Sequence, residues 1–116
     1  MTMALITVRC RLRVPVAQFR GGASAAAEAL VGTPGLIWKI WGFAEAQSMV
    51  TAYLFESLGK AEDFVAGPII ERLRQRPEVA EVALELAAVD RDLSARTGAA
   101  PALELSPVAA RLAGRH

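Results

Sequence analysis

From Ala4 to Val14 apolar and polar positions alternate: Ala4, Ile6, Val8, Cys10, Leu12 and Val14 on one side, Leu5, Thr7, Arg9, Arg11 and Arg13 on the other. A period of two marks a strand with one greasy and one polar face, and Pro15 ends it. The period then lengthens. Val16, Phe19, Ala23, Ala26, Ala27, Leu30 and Val31 fit a helical stripe, although Gly21-Gly22 weakens its middle, so the helix is expected to begin firmly only near Ala23. Gly32 and Pro34 close it. Thr33-Pro34-Gly35 is a turn signal, because proline presets φ and glycine accepts a positive one.

Leu36–Phe43 and Met49–Phe55 read as two strands joined by the polar loop Glu45-Ala46-Gln47-Ser48. Ser57 is a fit N-cap for a helix over Leu58–Ala66, and Pro68 can open a second piece, Ile69–Arg76, which Pro77 ends. Val79–Val89 alternates again. Residues 1–94 thus form one domain, and 95–116 form a peripheral tail with a last helical turn over Val108–Ala113. The order β-α-β-β-α-β predicts an α+β, ferredoxin-like fold: a four-stranded antiparallel sheet with two helices on one face.

Composition adds a partner. The chain has 116 residues, enough for one modest core, and 53% of them are hydrophobic. No apolar run approaches the roughly 20 residues that span a bilayer, and the N-terminus lacks the pattern of a signal peptide. The excess apolar surface therefore predicts a cytoplasmic homodimer, with the uncovered sheet face, carrying Leu5, Ile37, Trp41, Tyr53 and Phe55, as its interface. A net charge of +1 gives no attraction to nucleic acid or membrane. The single Cys10, expected to be inert core, excludes an internal disulfide, and the single histidine is His116. No interior imidazole exists to act as base, metal ligand or haem ligand, so neither a metal nor another cofactor is expected.

Pro34-Gly35-Leu36-Ile37-Trp38-Lys39-Ile40-Trp41, followed by Tyr53-Leu54-Phe55 and by Val89 with Leu93-Ser94, resembles the YdhR-type mono-oxygenase family from about Thr33 to Ser94. The resemblance implies a dimeric α/β barrel enclosing a ligand cavity, and small cofactor-free oxygenation of an aromatic, polyketide-like substrate. The same superfamily holds cyclases, isomerases and haem-degrading enzymes. Ala88 stands where relatives often carry an acid, and Gly67-Pro68 where they often carry a histidine, which weakens the haem readings and any histidine base.

Strand parity then nominates a site. If the apolar face of the first strand packs on the helices, the other face presents Thr7, Arg9 and Arg11, joined by Ile37, Lys39 and Trp41, by Thr51 and Tyr53, and by Glu85. Arg9, Lys39 and Tyr53 suit the stabilisation of an enolate, phenolate or carboxylate. Trp41 offers a stacking surface for a planar ring. Ile37, Thr51, Glu85 and Trp38 complete the expected substrate-binding set, with a small molecule and O2 as the partners. Each residue also has a structural reading: Lys39 and Glu85 as an ion pair, the arginines as a solvated strand face, Trp38 as core against the helices, Tyr53 as an interface residue. The functional alternatives are a non-oxidative cyclase, lyase or isomerase in the same pocket, and a non-catalytic small-molecule-binding dimer.

Overall fold

The alternation of the first strand is met from Ala4 to Leu12, two residues short of Val14, in the computed structural model, which describes residues 2–44 and 47–113. Strand β1 (Ala4–Leu12) buries Ala4, Ile6, Val8, Cys10 and Leu12 and leaves Thr7, Arg9 and Arg11 exposed. Helices α1 (Val16–Gly21) and α2 (Ala23–Val31) follow, divided at Gly22 where the double glycine weakens the helical pattern. Strands β2 (Leu36–Ala44) and β3 (Ser48–Phe55) form a hairpin, of whose loop Glu45 and Ala46 lie outside the described residues. Then come α3 (Leu58–Val65), α4 (Pro68–Gln75) and β4 (Val79–Ala88). The Ser57 hydroxyl caps α3 by accepting from the Lys60 amide at 3.2 Å, and Pro68 opens α4.

The sheet is antiparallel in the order β2-β3-β1-β4, with β1 and β3 central. This is the ferredoxin-like α+β arrangement. The register places Ile6 opposite Tyr53, Val8 opposite Thr51 and Cys10 opposite Met49, so all six side chains share the helix-covered face. Phe19, Leu30, Phe64 and Ile70 from the helices close the main core over them. Tyr53, Phe55 and Phe64 form an aromatic cluster with ring centroids 5.1–6.4 Å apart.

Two departures from the sequence reading matter. Tyr53, Phe55 and Trp41 were expected on the uncovered face, yet they belong to the helix-covered one. Parity cannot decide β3 by itself, because Val50, Ala52 and Leu54 are as apolar as Met49, Tyr53 and Phe55; packing of the two large rings on Phe64 decides it. For β2 the cause is a bulge: Leu36 pairs with Phe55 but Trp38 with Leu54, so Ile37 is an extra residue. Side chains beyond it change face. Lys39, Trp41 and Phe43 turn to the helices, whereas Ile37 and Trp38 join Met3, Leu54 and Leu103 in a second cluster. Trp38 therefore does not face the main core.

Leu103 comes from the segment after β4. Asp90, its side chain accepting from the Leu93 amide at 2.9 Å, caps α5 (Arg91–Arg96), which leads into α6 (Ala100–Leu103) and α7 (Val108–Ala113). Through Leu103 this segment covers one end of the face that the other helices leave open.

The Thr33-Pro34-Gly35 turn forms as expected, closed by the Leu36 amide donating to the Thr33 carbonyl at 3.2 Å. Gly35 has φ +78°, and a Cβ there would lie 2.7 Å from the Lys60 side chain. Gly35→Ala should therefore destabilise the fold by about 1–3 kcal/mol. Thermal unfolding followed by circular dichroism should show a fall of roughly 4–8 °C for each kcal/mol lost.

Candidate active site

Helix α2 is built of small residues, and where it crosses β2 and β3 it leaves a gap. Ala23, Ala26 and Ala29 face a cavity of about 200 Å³ whose floor is Lys39, Trp41, Met49 and Tyr53 from the sheet. Phe19 and Leu30 form part of its walls, and α4 with its C-terminal cap supplies Ile69, Arg72, Leu73 and Arg76. Among the described residues no carboxylate lines it. Its polar groups are the amine of Lys39, the phenol of Tyr53 and two guanidiniums. Arg76 lies over the Phe19 ring, 5.1 Å from its centroid, and pairs with Glu78 at 2.6 Å.

Lys39 is the unusual member. Its Nζ lies 3.3 Å from the Trp41 ring centroid and 4.6 Å from that of Tyr53, and no acidic side chain pairs with it among the described residues. Burial disfavours the ammonium and lowers the Lys39 pKa to about 7, with Cys10 pulling weakly upward. The π faces of both rings also favour the charged form. The amine therefore stands poised between its two states near neutrality. Burial pushes the Tyr53 phenol up to about 12, partly opposed by the neighbouring Thr51 side chain, so it stays protonated and able to donate. The Thr51 hydroxyl donates to the Val8 carbonyl at 3.5 Å. Cys10 is fully buried on this face, and burial raises its thiol pKa, which keeps it the protonated core residue expected of it.

The structure brings together Lys39, Tyr53, Trp41 and Thr51. It separates Arg9 and Glu85 from them: both are exposed on the opposite sheet face, with Thr7. A Lys39–Glu85 pair within one chain is thereby excluded. Ile37 is fully buried in the second cluster, and Trp38 lies half-buried beside it. His116 lies outside the described residues.

Arg72 and Arg76 were missed as site residues. Ile69, Arg72, Leu73 and Arg76 follow the i, i+3, i+4, i+7 spacing of one helix face, so the signal was present in the sequence. It reads equally as an ordinary amphipathic helix. No group of three or more His, Cys, Asp or Glu is placed to hold a metal ion among the described residues. None of their helices is long and apolar enough to cross a membrane.

The family model described as Putative mono-oxygenase ydhR matches residues 5–100. The chain belongs to the YdhR family. Among solved structures, NE2512 of Nitrosomonas europaea, a protein of unknown function, has a TM-score of 0.61 at 14% identity, covering 77% of this chain and 90% of that one. SnoaB of Streptomyces nogalater, a cofactor-independent oxygenase, gives 0.60 at 14%, covering 78% and 95%. The ActVA-Orf6 monooxygenase of Streptomyces coelicolor, in complex with nanaomycin D, gives 0.58 at 15%, covering 77% and 88%. At such identities these likenesses show the fold alone. Among curated proteins none matches.

Membership of the YdhR family leaves the state of Lys39 open to direct measurement. Its folded pKa, about 7, is below the ordinary 10.5. Between those values the unfolded chain holds a proton that the folded chain lacks, so the Lys39 contribution to stability must rise with pH and level off outside the window. Urea unfolding from pH 6 to 8.5 should show wild type gaining stability relative to Lys39→Met as pH increases. A difference independent of pH would contradict the assignment.

Proposed function

We propose that this YdhR-family protein is a cofactor-independent mono-oxygenase acting on a small phenolic or polyketide-like aromatic. The observation that carries the reading is Lys39: an amine poised near neutrality, set between two aromatic rings in an apolar cavity with no carboxylate to quench it. A neutral Lys39 accepts the proton of the substrate hydroxyl, and the resulting ammonium pairs with the phenolate it has created. Trp41 supports the ring, and Tyr53, kept protonated by burial, donates to a second oxygen. The electron-rich anion reduces O2 itself: one oxygen atom is inserted at a ring carbon, which gives up its single hydrogen as it becomes a carbonyl, and the other oxygen leaves as water with that hydrogen and the hydroxyl proton that Lys39 had accepted. Arg72 at the wall supplies added positive field that Arg9, across the sheet, is not placed to give, while Arg76 is held in its pair with Glu78. The descriptions of SnoaB as a cofactor-independent oxygenase and of ActVA-Orf6 as a monooxygenase holding nanaomycin D agree with this reading.

A homodimer belongs to the same proposal. The open sheet face still shows Ile40 at 60% exposure and Val50 at 36%, beside a basic row (Arg9, Arg11) on β1 and an acidic row (Glu81, Glu85) on β4. Apolar residues flanked by opposite charges suit a self-complementary two-fold contact. Ile40→Asp should convert the dimer to monomer in sedimentation velocity; a wild-type monomer would remove this part of the proposal.

The catalytic reading predicts oxygen consumption with quinol-type substrates in metal-free, flavin-free buffer. Lys39→Met should lower kcat/KM by roughly 10²–10³-fold, the usual effect of removing a group that stabilises a developing anion, and Tyr53→Phe should lower it less. As Lys39 acts from its neutral form, wild-type kcat/KM should rise with pH and level off above about 7. Product formed equally well without oxygen would instead favour an isomerase or cyclase in this pocket.

A further inference from the structure

A cavity of about 200 Å³ has room for one substituted ring; an engineered pocket of roughly 150 Å³ accepts benzene. The structure shows where the remainder of a longer substrate would go. A second cavity, also about 200 Å³, lies between α2, β2 and α7, and shares Leu30, Lys39 and Trp41 with the first as common walls. Its other walls include Val31, Leu36, Trp38 and Val108, so away from Lys39 it is apolar.

Val108 is the contribution of α7, which lies beyond residues 5–100 matched by the family model. The helix is tied down at a specific point. The Arg111 guanidinium donates to the Ile37 carbonyl at 2.8 Å, at the residue that the β2 bulge takes out of the strand register, and its other nitrogen donates to the Ser106 carbonyl. Val108 also packs against the main core. The segment after β4 therefore helps to build the neighbourhood of Lys39 rather than hanging from the domain.

We infer that the cavity between α2, β2 and α7 is an apolar substrate subsite closed by Val108, so that the protein takes phenols carrying a second ring or a comparable apolar arm. This rests on the proposed reading of Lys39 as the group that meets the phenol oxygen. Lys39 is part of the partition between the two cavities, and its flexible four-carbon stem can shift toward a bound phenolate and widen the passage. The oxygen then sits at the junction, one ring on Trp41 and the arm against Leu36, Trp38 and Val108.

The test is equilibrium binding without turnover, under nitrogen, read from the fluorescence of Trp38 and Trp41, which lie beside the two chambers. Phenol probes the first cavity alone and 4-phenylphenol probes both. Wild type should bind 4-phenylphenol at least about tenfold more tightly than phenol, since a second ring leaves water. Val108→Phe, filling the subsite, should abolish that preference and leave phenol affinity unchanged. Arg111→Ala, releasing α7, should act in the same direction, whereas Val108→Ala should retain the preference. Circular dichroism establishes that each variant is folded, and a variant that fails this check is replaced by Val108→Leu. Equal affinity for both phenols in wild type, or equal effects of Val108→Phe on both, would overturn the subsite alone. Failure of either phenol to bind would strike the Lys39 reading as well.

Discussion

A single inserted residue in β2 decides what this sheet can do. Were pairing regular from Leu36 onward, Trp38 and Ile40 would follow Leu36 beneath the helices, and Lys39 and Trp41 would face outward with Ile37. The extra residue at Ile37 reverses the phase, so that Lys39 and Trp41 stand under α2 beside Tyr53. The same device sends Ile37 and Trp38 to the second cluster, where α6 needs apolar partners, and brings the Ile37 carbonyl to Arg111. Cavity, second cluster and the anchoring of α7 all depend on it.

The parts of the molecule legible in sequence are those whose signals are local. The alternation in β1, the glycine in the turn before β2, the Ser57 cap and Pro68 at the head of α4 each have a physical cause within a few residues, and each appears where expected. Of the candidate site the sequence nominated residues but not their placement. Lys39, Trp41 and Tyr53 come together, but under the helices and without Arg9. A bulge that uses no glycine leaves no mark in sequence, and β3 is apolar on both faces, so parity had two unknowns and errors in both moved the same residues together. In the tail the turn read over Val108–Ala113 is where α7 stands, whereas α5 and α6, of six and four residues, carry too little periodicity to be read.

Placing among aromatic rings a lysine with no acidic partner among the described residues conflicts with stability. An ammonium withdrawn from water without a counter-charge costs free energy, and π faces return only a part of it. A methionine would fill the same space without that cost. The fold makes this conflict tolerable by loosening its own packing. Larger side chains at Ala23, Ala26 and Ala29 would fill the space above Lys39 or push α2 off the sheet; alanines leave the gap open.

That arrangement also bears on the chemistry. A lysine in contact with a fixed carboxylate would be a permanent cation, able to attract an anion that water had already ionised but unable to create one. In the proposed reaction Lys39, with rings as neighbours, serves first as proton acceptor and then as counter-ion for the anion it has produced. The rings suit both states, because a π face tolerates a neutral amine and favours an ammonium. On that proposal, the absence of a carboxylate wall among the described residues leaves a bound phenolate as the strongest partner available to the new charge, and the apolar cavity would select ligands that ionise inside it.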